Sequence, residues 1–179
     1  TRDRQGLIET AHGLGMLYRL AGQPKAAAGC YRQMLRLNNR DRSIEVRALN
    51  GLMESRIAAG QLTQLDQFID RLRRIARESG DTRNIAQSTY SIGLAHLRLH
   101  QLDQADQHFQ TALALAATLG SDRLQLACIN NLGEVYRYRG DLRAADQCYR
   151  RSVRFAMERG WTSIAAVARL NLALLYLTS

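Results

Sequence analysis

The sequence predicts an all-α fold, a solenoid of about four and a half stacked helical hairpins with nine helices. Gly80, Gly120 and Gly160 stand forty residues apart, and Phe109 recurs as Tyr149 at the same interval. A fixed period of this size is typical of stacked copies of one structural unit. The chain has one proline, and its β-branched residues show no sustained alternation. Nothing in the pattern therefore predicts strands.

The clearest copy of the unit covers residues 126–160. Ile129, Leu132 and Tyr136 follow the three-and-four spacing of an amphipathic helix. Gly140-Asp141 then predicts a break in the helix. Glycine accepts the left-handed conformation that ends one helix, and aspartate caps the start of the next.

The same pattern, followed in order along the chain, gives four hairpins and a final single helix. The second unit is the most divergent one. Because the chain begins without methionine and stops inside a unit, we expect it to be a fragment of a longer protein. The units form a single array over 1–179, with approximate bounds of 5–40, 43–80, 82–120, 122–160 and, for the half repeat, 162–179.

The residues that recur from unit to unit resemble the tetratricopeptide repeat: Leu132-Gly133, Tyr136, Gly140-Asp141, Ala145 and Tyr149. The resemblance is strong at 122–158 and weak at 41–80. The usual period of this family is about 34 residues. A period of forty is similar to the longer repeats of kinesin light chains, LGN-type polarity scaffolds and bacterial MalT-like or pheromone-receptor regulators. The resemblance implies a right-handed α-solenoid that binds proteins or peptides.

The chain is basic, with a formal net charge of +9, and Lys25 is its only lysine. The arginines are spread along the chain without a dense block, which disfavours nucleic acid as a partner. Nucleic-acid binding stays open as an alternative through arginines of the predicted second helices: Arg73, Arg74, Arg150, Arg151 and Arg154.

The three cysteines are odd in number and have no motif spacing. This usage is typical of a reducing compartment, so we expect a cytoplasmic protein. No apolar run is long enough to span a bilayer, and no membrane partner is expected.

No pattern in the chain predicts chemistry. His96 and His100 lie one helical turn apart, a spacing that can hold a metal ion, but no Cys, Asp or Glu stands at a suitable offset. No glycine-rich phosphate loop follows a strand. We therefore expect no metal, no cofactor and no enzymatic activity.

The resemblance implies that the first helices of successive units line a concave groove in which partners bind. Projected outward from the packed face, the groove candidates are His12, Met16, Arg47, Asn50, Glu54, Tyr90, Leu94, Leu97, Asn130, Asn131, Glu134, Arg137 and Asn171. Their mixed charge and apolar centre predict a peptide or helix with an apolar anchor and flanking charges. The basic clamp of chaperone-binding members is missing, since the matching positions hold His12, Met16, Gly51, Gln87 and Ser91.

The asparagines are candidates for gripping a peptide main chain, because an amide both donates and accepts hydrogen bonds. Asn50 and Asn130 favour this interpretation. For Asn131 and Asn171 a second interpretation stays open, a local contact between helices, which is common at this position in the family.

The last predicted helix is apolar on nearly all sides. A helix of this kind needs cover on more than one side. We therefore predict an edge that supports self-association into a homo-oligomer, formed by Leu170, Leu174, Leu175 and Leu177.

The sequence thus predicts a protein–protein interaction module, the regulatory or sensor arm of a multidomain bacterial signalling protein. An intramolecular structural or oligomerisation arm is the alternative.

Overall fold

The computed structural model describes residues 2–63 and 65–177, except for the side chain of Arg2. Within these ranges it contains nine α-helices and no strands, as predicted. The helices are α1 (Arg2–Leu20), α2 (Pro24–Leu37), α3 (Arg42–Ala58), α4 (Leu65–Glu78), α5 (Thr82–Arg98), α6 (Leu102–Thr118), α7 (Asp122–Arg139), α8 (Leu142–Glu158) and α9 (Thr162–Leu177). Each helix packs against its neighbours in sequence, which gives a solenoid.

The turns between helices contain residues in the left-handed backbone region. Six of these residues are glycines, and Gly140 at the end of α7 has φ 78°. The other two are Arg40, with φ 64°, and His100, with φ 56°. His100 stands forty residues before Gly140 and takes the same left-handed turn position. Asp141 accepts a hydrogen bond from the Ala144 amide and caps α8.

The two helices of a hairpin pack closely through one small and one aromatic residue. A Cβ on Gly93 would lie 2.8 Å from the Phe109 ring, and a Cβ on Gly15 would lie 2.8 Å from the Tyr31 ring. Such contacts are too short for real Cβ atoms, so only glycine fits there. The recurring glycine therefore leaves room for the aromatic ring of the second helix.

The second hairpin solves the same packing problem with different residues. Met53 stands seven residues before the turn glycine, where the first and fourth hairpins have Gly15 and Gly133. Its partner position on α4 holds Ile69, and both side chains are buried in one core cluster. A larger side chain on the first helix is thus matched by a smaller one on the second. This exchange explains why the second unit diverges from the pattern.

The terminal helices bury only part of their apolar surface. Leu17 and Leu20 on α1, and Val167 and Leu170 on α9, are exposed. Each terminal helix has a neighbour on one side of the stack within the described residues. No helix of the described chain is both long enough and apolar enough to cross a bilayer.

Candidate functional site: the concave groove

Successive first helices α1, α3, α5, α7 and α9 are joined by polar side chains. We call these contacts the interhelix ladder. Its rungs are Arg47 to Glu9 (3.0 and 2.8 Å), Asn50 Nδ2 to Ser88 Oγ (3.2 Å), Asn131 Nδ2 to Tyr90 OH (3.2 Å) and Asn171 Nδ2 to Asn130 Oδ1 (2.9 Å). Six of the thirteen predicted groove residues belong to this ladder, so many of their polar groups already have a protein partner.

The placement of Asn50 corrects the prediction made for it. Its side chain is buried between α3 and α5, with 5% of the residue exposed, and its amide donates to Ser88. The reason is the close approach of these two helices, which two further hydrogen bonds join: Asn84 Nδ2 to Ser43 Oγ (3.0 Å) and Ser91 Oγ to Glu54 Oε1 (3.0 Å). Asn50 therefore holds the first helices together and is not on the open groove surface.

Asn131 and Asn171 make the contacts between helices that were one of their two interpretations. Asn131 donates to the Ala127 carbonyl at 2.9 Å, one turn earlier in α7, as well as to Tyr90. Asn171 donates to Asn130, so the Asn130 oxygen is also engaged. All three side chains are half-buried.

Ion pairs join the first helices in the N-terminal part of the groove. Arg47 forms a bidentate pair with Glu9, and Arg19 lies 3.3 Å from Glu54. His12 is half-buried and meets the Tyr31 ring edge-on at 6.4 Å between centroids. Burial, reinforced by the nearby charge of Arg47, lowers the pKa of His12. Met16 remains exposed.

The apolar centre of the groove is largely part of the core. Tyr90 tilts against Phe109 at 5.8 Å between ring centroids, and burial raises the pKa of its hydroxyl. Leu94 is half-buried against the same core cluster, and Leu97 is buried within it. Leu97 nevertheless borders the pocket described next.

The C-terminal half of the groove contains an open depression of about 420 Å³, which we call the concave pocket. It lies between α5, α7 and α9. Its lining residues are Leu97, Arg98, Asn130, Asn131, Glu134, Arg137, Tyr138, Asn171 and Leu174. Six of them are predicted groove residues. The structure thus brings Leu97 of α5, the four predicted residues of α7 and Asn171 of α9 together.

The charges in the concave pocket are arranged around Glu134. This carboxylate accepts a hydrogen bond from Arg137 at 2.7 Å and another from the Tyr149 hydroxyl. The bond to Glu134 raises the pKa of Arg137, and the guanidinium lies 4.4 Å from the Tyr138 ring centroid. Arg98 has no ion pair within the described parts of the chain. The pocket therefore has an excess of positive charge at Arg98.

Arg98 and Tyr138 are the lining residues that the sequence analysis missed. Each directly follows a predicted groove residue, Leu97 or Arg137, in the last turn of its helix. For Arg98 the available signal is a basic residue in the last turn of α5, since cations favour the negative end of a helix.

The predicted self-association edge is only partly at the surface. Leu170 and Leu177 are 58% and 80% exposed, whereas Leu175 is 2% exposed. Leu175 packs with Ala145 and Tyr149 of α8, so its assignment to the edge is corrected. The apolar character of α9 on several sides reflects this packing against α8 as well as the exposed edge. Leu174 borders the concave pocket.

The histidine pair considered for a metal is separated in space. His96 is buried and stacks on His108 at 5.2 Å between centroids, while His100 is exposed and meets Tyr138 edge-on. Gln101 Oε1 lies 2.6 Å from His96 Nδ1. No group of three or more His, Cys, Asp or Glu side chains with metal-binding geometry occurs among the described residues.

The fold defines a helical-repeat protein. Models of the tetratricopeptide repeat match residues 10–45 and 84–158. The chain belongs to the tetratricopeptide repeat family, whose fold is a protein–protein interaction module. No curated protein sequence gives a significant match.

Several solved structures have a similar fold. BtubC (BKLC) from P. vanneervenii is 19% identical with a TM-score of 0.75, over 97% of this chain and 73% of that one. A STAND-class signal transduction ATPase with a tetratricopeptide repeat sensor from Pyrococcus horikoshii is 11% identical with a TM-score of 0.77, over 94% of this chain and 26% of that one.

A Rap protein complexed with Competence and Sporulation Factor is 16% identical with a TM-score of 0.78, over 94% of this chain and 52% of that one. This chain thus spans about a quarter of the STAND protein and about half of the Rap protein. At these identities the likeness shows a common fold.

Proposed function

We propose that the chain binds a peptide or protein helix in its concave groove, with the concave pocket as the main anchoring point. The observation that supports this most is the pocket of about 420 Å³ formed by side chains from three consecutive first helices. A pocket with convergent polar groups and an apolar wall is typical of a binding site.

The pocket suits a ligand with one apolar side chain and an adjacent acidic group. Tyr138 and Leu174 provide apolar wall, and Arg98 provides an unpaired positive charge beside it. A carboxylate of the ligand would form a charge-assisted hydrogen bond with the Arg98 guanidinium. The function requires no catalytic group, cofactor or metal ion.

The wider role that we propose is the regulatory or sensor arm of a multidomain bacterial signalling protein in the cytoplasm. The similar fold of a repeat sensor in a STAND protein and of a peptide-bound Rap protein supports this role. The odd number of cysteines supports a reducing compartment.

A selected peptide tests the groove. The immobilised chain is used to select ligands from a random peptide display library, and the affinity of a selected peptide is measured by fluorescence polarisation. Arg98→Glu and Tyr138→Ala should each weaken binding by about tenfold. Arg151→Glu on α8 is the matched charge control and should leave the affinity unchanged. Full affinity in both pocket variants would refute the proposal.

A structural or oligomerisation arm is the second candidate function, and the exposed apolar edge of α9 favours it. Leu170 at this edge is 58% exposed. If α9 joins two copies, sedimentation at high protein concentration should show a dimer that Leu170→Glu converts to a monomer. Leu17→Glu on α1 is the control at the opposite end of the array. A strictly monomeric wild type would rule out self-association.

Nucleic-acid binding through the second helices has weaker support. Arg73 pairs with Asp70 at 3.2 Å and Arg150 with Asp146 at 2.8 Å. Helix α6, between α4 and α8, contains no Lys or Arg, so the basic surface is interrupted. A steep salt dependence of oligonucleotide binding would support this alternative.

A further inference from the structure

Helix α4 begins later than its counterparts. Leu62 follows the turn residue Gly60 by two positions, as Leu102 follows His100 and Leu142 follows Gly140. Helices α6 and α8 begin at these leucines, but α4 begins at Leu65. Leu62 and Thr63 are therefore not helical, whereas their counterparts in α6 and α8 are.

A depression of about 530 Å³ lies between α2 and α4, and we call it the α2–α4 cleft. Its floor is apolar and includes Leu49, Leu52 and Phe68. Its cationic side chains are Lys25, Arg32, Arg56 and Arg71. None of the described residues that line this cleft is acidic. Apolar surface surrounded by charge of one sign is typical of an interaction site.

The positive charges of the cleft are only partly compensated. Arg71 lies 3.2 Å from Glu45, which is outside the cleft. Arg56 donates to the Thr63 carbonyl at 2.8 Å and lies 5.7 Å from the Phe68 ring centroid, and its buried Nε has no hydrogen-bond partner within the described residues. Lys25 and Arg32 are exposed and have no ion pair among the described side chains.

The cleft adjoins a second depression of about 560 Å³, which shares Leu35 and Arg71 with it and adds Arg40, Arg42 and Glu45. Glu45 pairs with Arg42 at 2.9 Å and with Arg71 at 3.2 Å, so Arg40 is the cation of this depression that has no ion pair among the described residues. Two connected depressions with cations along both suit an extended ligand better than a compact one. Electrostatic complementarity then requires a ligand rich in carboxylates.

The cleft lies on the opposite side of α3 from the groove. Leu52 and Arg56 line the cleft, whereas Asn50 and Glu54 face α5 and α1. Residues two positions apart on a helix are turned by roughly 200° relative to each other. A ligand in the cleft would therefore leave the concave groove open.

We propose that the α2–α4 cleft is a second binding site, separate from the concave groove, for an acidic peptide segment with one large apolar side chain. The apolar side chain packs on Leu52 and Phe68, above the buried Leu49. The flanking carboxylates pair with Lys25, Arg32 and Arg56, and the segment extends past Arg71 towards Arg40. Arg56 Nε gains a hydrogen-bond acceptor from the bound carboxylate.

A synthetic peptide with two glutamates on each side of a phenylalanine tests this site by fluorescence polarisation. Lys25→Glu combined with Arg32→Glu should weaken its binding by about tenfold or more. Arg143→Glu combined with Arg151→Glu on α8 is the matched control, because it changes the net charge equally on another second helix. The control should change the affinity by less than about twofold. Circular dichroism confirms that both variants are folded.

Three further measurements decide what binds and where. A peptide with alanine in place of phenylalanine should bind about tenfold more weakly. In an Arg98→Glu background, in which the concave pocket is impaired, Lys25→Glu combined with Arg32→Glu should still weaken binding by the same factor. Equal weakening by the cleft variant and its α8 control would overturn the proposal. Loss of binding only in Arg98→Glu would also overturn the proposal. So would the finding that an oligothymidylate of equal charge binds as tightly and is weakened by the same cleft substitutions.

Discussion

The ring of Tyr149 fills the space directly beside Gly133. A Cβ on this glycine would lie 2.6 Å from Tyr149 Cε1 and 2.9 Å from Cδ1. The ring is buried, and its hydroxyl is held by Glu134 of the first helix. Because Glu134 also binds Arg137 in the concave pocket, the hairpin core and the pocket wall are linked through this tyrosine.

Gly133→Ala is expected to destabilise the protein by about 1–3 kcal/mol, because the added methyl group would overlap the fixed Tyr149 ring. Gly29→Ala on α2 is the matched control, since a Cβ there meets no atom within 4 Å. The control should be neutral or stabilise the helix by up to about 1 kcal/mol. Urea unfolding followed by circular dichroism measures both. Equal effects of the two substitutions would contradict the packing argument.

The exchange of sizes between Met53 and Ile69 predicts that substitutions at these two sites are coupled. Met53→Gly should lose about 2–5 kcal/mol by leaving a cavity, and Ile69→Tyr about 1–3 kcal/mol by overpacking. The double variant recreates the glycine and aromatic pair of the other hairpins. The loss of stability in the double variant should be smaller than the sum of the two single losses by about 0.5–3 kcal/mol. Additive losses in a double-mutant cycle would show that the two side chains pack independently.

Arg40 occupies a turn position in which its left-handed backbone is strained. Arg40→Gly should stabilise the protein by about 0.5–1 kcal/mol, because a side chain at φ 64° is disfavoured whereas glycine is not. The reciprocal variant Gly120→Ala, at φ 62°, should destabilise by about 1–2 kcal/mol. Thermal unfolding compares the two. A lower melting temperature for Arg40→Gly would show that the arginine side chain makes a larger contribution than the strain.

His108 should make stability depend on pH. Burial first, then the nearby His96 and Arg73, lowers the pKa of His108 to about 4, compared with about 6.5 in an unfolded chain. The unfolded state therefore binds a proton more readily, and stability is lost as the pH falls from about 6.5 towards 4. The stability of the wild type minus that of His108→Gln, from urea unfolding, should decrease across this window. If the stability of the two proteins changed in parallel with pH, His108 would not be the cause of the pH dependence.

The helices and turns were predictable from the sequence, because the signals for them are local. The spacing of Leu132 and Tyr136 identifies the inner face of α7, and Gly140-Asp141 marks its end, where the structure has the left-handed turn and the cap. The groove could be predicted in part for the same reason. Six of its predicted residues line the concave pocket, since an outward-facing position follows from the inward-facing ones.

The tertiary structure alone decided which of these side chains are available to a ligand. Asn50 is buried against Ser88, and Leu175 packs with Ala145 and Tyr149, although both positions looked exposed by periodicity. Helical spacing defines a face relative to the axis of its own helix. Burial depends instead on the rotation and distance of a neighbouring helix, whose contacting residue is 38 positions away in the case of Asn50 and Ser88. The late start of α4 and the cleft beside it have the same origin, because they depend on how one hairpin packs against another.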